Sequence, residues 1–285
     1  MTHIVVLTAD PATGLADEDL FEACQALDGC GTPRRLSPSA AEIPVEGYQR
    51  LESDQPIDVN CVPVAGRRKR LLIADMDSTM IPVECIDEVA DFAGVREQVV
   101  AITEPAMRGE ISFTEALHAR VELLAGLSEA KLQDVFDQRV SLNPGARTAV
   151  QTMRANGAYC ALVSGGFTFF TEQVANAVGF HENRANRLLS EGGKLTGKVA
   201  EPVLGREAKV TALSEMTAKL GITAEDVLAV GDGANDLGMI GAAGLGVAYH
   251  AKPVVADAAD AAINHGDLTA LLYLQGYPVE EFVID

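Results

Sequence analysis

The stretch "LLIADMDSTM", residues 71–80, passes from an apolar run straight into two carboxylates, Asp75 and Asp77, and two hydroxyls, Ser78 and Thr79. A short run that is apolar at every position reads as a strand covered on both faces, which is the pattern of a parallel sheet. Asp and Ser also follow strands simply to cap the next helix. Two acids one residue apart at a buried strand end need a stronger reason, because like charges brought together out of water repel.

Working outward, "AYCALVS" (158–164), "DVLAVGD" (226–232) and "GLGVAY" (244–249) repeat the same apolar pattern, and helical segments separate them. Strands that alternate with helices predict an α/β fold with a doubly wound parallel sheet. The first two strands are separated by far more chain than a crossover requires. The excess, about residues 82–143, contains "ECIDEVADFAG", "EQVVAITEPAMRGE", "SFTEALHARVELLAGL" and "SEAKLQDVFDQRV". It is expected to form a helical cap over the sheet. "RANRLLSEGGKLTGKVA" (184–200) reads as a hairpin around its glycines. Upstream, "HIVVLTAD", "AEIPVE" and "PIDVNCVPV" are strand candidates, and "LADEDLFEACQAL" is an amphipathic helix. Residues 1–68 are therefore expected to be a small α+β domain and residues 69–285 the α/β core. The basic run "GRRKR" (66–70) is expected to be a solvated linker between them.

Composition narrows the function. With 22 basic against 41 acidic residues the formal charge is −19, which disfavours nucleic acid and anionic lipid as partners. No apolar run reaches the roughly 20 residues of a membrane span, and "MTHIVVLTAD" lacks a basic secretory start, so a cytoplasmic protein is expected. Five scattered cysteines with no CxxC pair suggest free thiols rather than disulfides or zinc. An anionic small-molecule substrate would have to be held by local devices.

Those devices fall at strand ends, where ligands of open parallel sheets bind. Asp75 and Asp77 follow the first strand, Ser164 and Gly165 the second, and Asp232, Asn235 and Asp236 the third, with Lys209 on the preceding helix. The oxygen-only set Asp75, Asp77, Asp232 and Asp236 suits a hard cation, best Mg2+. "VSGGF" and Lys209 suit phosphate. Asp75, held ionised, could attack phosphorus while Asp77 moves protons to and from oxygen.

"DMDST", "VSGGF", Lys209 and "VGDGANDLGM" resemble, in order and spacing, the four motifs of the haloacid dehalogenase superfamily of phosphohydrolases; with the cap segments the chain is similar to its phosphoserine phosphatase branch. The resemblance covers about residues 70–275. It implies that Asp75 becomes the aspartyl phosphate and that Asp77 is the general acid and base. It also implies that Mg2+ is held by Asp75, the Asp77 carbonyl and Asp232, with Asp236 in support, and that Ser164, Gly165, Lys209 and Asn235 bind the phosphoryl group. In the cap, Glu84 would face a substrate ammonium and Arg120 its carboxylate, with Met107 and Phe113 closing the pocket. The implied reaction is hydrolysis of O-phospho-L-serine, the last step of serine biosynthesis, and a homodimer is compatible with the pattern. Phosphoethanolamine, phosphohomoserine or a phospho-acceptor role without turnover are the competing functions. Two features depart from the family: Gly238 stands where Pro is common, and the N-terminal segment is a reduced version of the ACT unit, βαββαβ, that relatives often carry.

Overall fold

The computed structural model describes residues 1–107 and 110–284; the side chain of Met107 also lies outside the described set. The central sheet has six strands: β5 (Leu71–Ala74), β6 (Tyr159–Phe167), β7 (Glu182–Asn186), β10 (Val227–Gly231), β11 (Leu245–Tyr249) and β12 (Ala261–Ile263). Their order is β12-β11-β10-β5-β6-β7, and every pairing is parallel. Side chains of a strand alternate between faces, and both faces are apolar here. Leu72, Ala74, Cys160, Leu162, Leu228 and Val230 belong to one buried cluster, which includes residues of α6 (Ala146–Ala155) and α7 (Thr168–Val178). Leu71, Ile73, Ala161, Val163, Val227 and Ala229 belong to another, with α8 (Arg206–Leu220) and α9 (Leu237–Ala242). The fold is therefore α/β and doubly wound, as the apolar strands predict. Strands β7 and β12 were not legible in sequence, because "ENRAN" is polar and "AAI" is only three residues long.

Between β5 and β6 lie α2 (Cys85–Phe92), α3 (Arg96–Met107), α4 (Phe113–Glu122) and α5 (Ala130–Arg139), the helical insertion expected as a cap. The hairpin of β8 (Leu188–Glu191) and β9 (Lys194–Val199) fastens to it: Gly126 N donates to Leu195 O (2.8 Å), and Leu195 N returns a bond to Leu127 O (2.8 Å). The short helices α10 (Pro253–Ala256) and α11 (Ala270–Leu274) complete the core. No helix among the described residues is long and apolar enough to cross a membrane.

The N-terminal elements are β1 (His3–Ala9), α1 (Asp17–Ala26), β2 (Arg34–Ser37), β3 (Ala40–Val45) and β4 (Ile57–Pro63), and their sheet order is β2-β3-β1-β4. This adds one strand, the arginine-rich β2, to the three expected. Residues 46–56, between β3 and β4, contain no helix. Val5, Leu7, Ala41 and Ile43 pack with Ala23 of α1 and with Leu27, which caps its C-terminus, whereas Ile4, Val6, Ala40 and Val62 merge with the core cluster that contains Leu271 and Tyr273 of α11.

The expectation of a solvated basic linker fails. Arg67 donates Nε to Leu274 O (2.7 Å), Nη2 to Tyr273 O (2.8 Å) and Nη1 to Glu42 (2.6 Å). Lys69 is buried and donates Nζ to Glu225 O (2.7 Å), while Arg68 lies over the Tyr277 ring. The run bolts the N-terminal sheet to the core because long basic side chains reach carbonyls that helix and strand ends leave open.

Candidate active site

Asp75 follows β5 directly, and its N–H extends the ladder to Val230 O (3.0 Å), so the parallel pairing of β5 with β10 fixes its position. Its Oδ1 accepts from Met76 N (2.8 Å) and from Lys209 Nζ (2.7 Å). Among the described residues no hydrogen bond falls on Oδ2, which leaves one oxygen of a buried carboxylate free. Lys209, buried on α8, also bonds Asp236 Oδ1 (2.5 Å). Burial opposes its charge, but Asp75 and Asp236 outweigh it and raise the pKa, so Lys209 stays protonated.

Asp75, Asp232 and Asp236 each place a carboxylate oxygen within 4.8 Å of the other two. Three carboxylates against one ammonium leave the cluster short of positive charge. Burial, then Asp75, pushes Asp232 up to about 6. Burial and Asp75 likewise push Asp236 up to about 7, against the pull of Lys209. An all-oxygen donor set with unrelieved repulsion fits a hard divalent cation. Glycines make the crowding possible: a Cβ on Gly231 would lie 2.3 Å from Asp236 Cγ, and one on Gly233 would lie 2.3 Å from Asn235 Oδ1.

Asp77 stands apart from this cluster. Its Oδ1 accepts from Cys85 N (3.1 Å) at the start of α2, yet burial, Glu84 and Asp75 hold its pKa well above the usual carboxylate range. Asp75 is thus salt-bridged to Lys209, whereas Asp77 favours its proton. Gly166 lets Asp77 approach, since a Cβ there would lie 2.8 Å from Asp77 Oδ2. Ser164 and Gly165 lie within the irregular end of β6 rather than after it, where pairing with β7 shifts register between Val163 and Phe167. Ser164 is buried, and its Oγ accepts from Gly166 N (2.8 Å).

The helical insertion carries Phe113, Glu84 and Arg120. The Phe113 ring packs on two core glycines, such that a Cβ on Gly165 would lie 3.2 Å from its Cζ and one on Gly205 3.3 Å from its Cδ1. Glu84 keeps contact with solvent at the cleft rim, and its Oε1 accepts from Ser78 Oγ (2.8 Å). Protein packed around it raises its pKa, with Asp75 and Asp87 pushing the same way against the Ser78 hydrogen bond. Arg120 is half-buried, and burial lowers its pKa although Asp87 and Glu84 oppose that. Neither Glu84 nor Arg120 belongs to an ion pair among the described residues. The Met107 side chain is outside the described set.

Sequence reading missed the supports of this site. Thr79, fully buried, donates Oγ1 to Asp232 Oδ1 (3.1 Å), and Asn143 holds the Thr79 carbonyl (2.7 Å). Asn186, also buried, donates to Gly165 O (2.9 Å) and accepts from Leu204 N (2.7 Å), so it ties the Ser164 segment to the approach of α8. Thr79 was visible inside the quoted motif; nothing in sequence marks Asn143 or Asn186, which lie 64 residues from Thr79 and 21 from Gly165.

A family model for haloacid dehalogenase-like hydrolases matches residues 72–240, and the chain belongs to that family. Within it, the chain is 49% identical over 210 residues to a phosphoserine phosphatase of Polaromonas sp. (strain JS666), covering 72% of this chain and 89% of that one. A solved phosphoserine phosphatase carrying an analogue of the phospho-aspartyl intermediate is 39% identical, with a TM-score of 0.67, and covers 72% of this chain and 98% of its own. A HAD family hydrolase of Salmonella enterica serovar Typhi is 29% identical with a TM-score of 0.84, and the match covers 96% and 98% of the two chains.

Proposed function

We propose that this protein hydrolyses O-phospho-L-serine to L-serine and phosphate, as the final step of serine formation. The observation that carries the substrate is the pair Glu84 and Arg120 on the helical insertion, a carboxylate and a guanidinium that enter no ion pair among the described residues. A substrate with both an ammonium and a carboxylate complements both, and a bidentate carboxylate suits arginine. The names of the relatives support the same reaction.

In the reaction we infer, Asp75 Oδ2 attacks phosphorus in line as the bond to the serine oxygen breaks. Asp77, kept protonated by burial and its acidic neighbours, gives its proton to that oxygen. Asp77 then takes a proton from water, which attacks the Asp75 phosphoryl group and frees phosphate and the Asp75 carboxylate. Ser164, Gly165, Lys209 and Asn235 hold the phosphoryl oxygens, and Phe113 limits water at the cap. Asp75, the Asp77 carbonyl and Asp232 would hold Mg2+, with Asp236 in support. Bound there, the ion offsets negative charge on the phosphoryl oxygens. Residues 1–68 are proposed as a separate, reduced ACT-like unit that serves packing or dimerisation, with residues 82–143 as the cap of the remaining core. Five free thiols suit the reducing cytoplasm.

The test is phosphate release from phosphoserine, phosphothreonine, phosphoethanolamine and phosphohomoserine, with Mg2+ and with chelator. Magnesium-dependent release led by phosphoserine is the expected result. Release led by another ester overturns the substrate, and absence of release from all four overturns the hydrolase mechanism.

A further inference from the structure

Among the described residues Arg120 is a cation without an anion. It is half-buried on α4, no carboxylate among the described residues pairs with it, and a long flexible side chain in that position has to be aimed by something else. Two bonds do this. Its Nε donates to Ala116 O (3.2 Å), one turn back on its own helix. Its Nη1 donates across to Thr103 Oγ1 (3.4 Å) on α3. The Thr103 hydroxyl is itself committed, because it donates to Val99 O (3.0 Å), which turns its lone pairs outward. A hydroxyl has one proton to give, so Thr103 can meet Arg120 only as an acceptor. Among the described residues three of the five guanidinium N–H groups stay free, enough for a fork onto two carboxylate oxygens.

We infer that Thr103 is a positioning residue for substrate selection: its hydroxyl, locked by Val99 O, holds the Arg120 guanidinium so that its free N–H groups meet the carboxylate of the substrate. This rests on the substrate assigned under Proposed function. Asp87 supports the need for such a tether. It sits one turn after Glu84, and both carboxylates attract Arg120, so an untethered guanidinium would have two acidic side chains of the protein to move toward. A threonine that merely bonds back to its own helix, a common use of the residue, would be replaceable by valine without any change in substrate preference.

The experiment compares the unmodified enzyme with Thr103→Val, which keeps the shape and loses the hydroxyl, and Thr103→Ser, which keeps the hydroxyl. Steady-state kinetics are measured with phosphoserine, with phosphoethanolamine, which has the ammonium but no carboxylate, and with p-nitrophenyl phosphate. In Thr103→Val the KM for phosphoserine should rise about tenfold, the size expected for losing a hydrogen bond to a charged group. The kcat for phosphoserine and both parameters for the other two esters should stay within twofold, and Thr103→Ser should restore the phosphoserine KM. A Thr103→Val enzyme that keeps its phosphoserine advantage overturns the inference, as does an equal loss on all three substrates, which marks a packing role. An unmodified enzyme with no preference for phosphoserine over phosphoethanolamine overturns the substrate assignment, and the Thr103 role with it.

Discussion

Four carboxylates are buried among the described residues, and they divide evenly between two regions that treat them in opposite ways. Where the N-terminal sheet meets the core, Asp58 accepts from the backbone N–H groups of Asn264 (2.7 Å), His265 (3.1 Å) and Gly266 (2.8 Å). Glu42 is gripped by Arg34 (2.7 Å) and Arg67 (2.6 Å). At the crevice of the central sheet, Asp75 and Asp236 share the single ammonium of Lys209, and Asp75 also repels Asp232 nearby. A fully satisfied buried carboxylate holds two sheets together. A crowded one stays short of positive charge and so keeps a place for a cation and a phosphoryl group.

The largest break of this contrast should come from Asp75→Asn. Turnover of phosphoserine should fall by at least about a thousandfold, since the proposed nucleophile is lost. The melting temperature should move little, because the change also removes a repulsive charge. A variant that keeps even a tenth of its kcat would mean that Asp75 is structural.

Arg67→Ala should act in reverse. It strips Glu42 of a buried partner and opens two carbonyl bonds, at a cost of about 3–5 kcal/mol in denaturant unfolding. The kcat of the folded fraction should stay within about twofold. A large loss of kcat without loss of stability would place the N-terminal sheet inside the catalytic machinery.

The smallest effect sharpens the electrostatics. In chelated protein the folded pKa values of Asp232 and Asp236 lie above the usual carboxylate value, at about 6 and about 7. Between pH 4 and pH 7 the folded state then binds more protons than the unfolded state, so stability falls as pH rises through that window. The melting temperature should drop by about 2–4 °C for each kcal/mol involved. Mg2+ should flatten the slope, as should Asp232→Asn in part. A melting temperature that rises with pH in chelator would show that the cluster is not short of positive charge.

How much was legible follows from the range of each interaction. The strands β5, β6, β10 and β11 announce themselves because burial on both faces demands apolar residues at consecutive positions. Polar β7, three-residue β12 and arginine-rich β2 carry no such mark; they are strands because their neighbours pair with them. The reactive groups were legible for a related reason. Asp75, Ser164, Lys209 and Asp232 sit at or beside strand ends, and topology sends all those ends to one edge. The basic run 66–70 misled because composition reports charge and not the carbonyls within reach.

By itself, then, the sequence determined the sheet, its covering helices and which acids and amides stand at the catalytic edge, since these depend on local pattern and chain order. Only the tertiary structure decided which carboxylates are satisfied and which are left crowded, that Arg120 has no ion-pair partner among the described residues, and that Asn186 and Thr103 bond the groups beside them. Those outcomes depend on contacts of a few ångströms between segments distant along the chain, and such distances leave no periodicity to read.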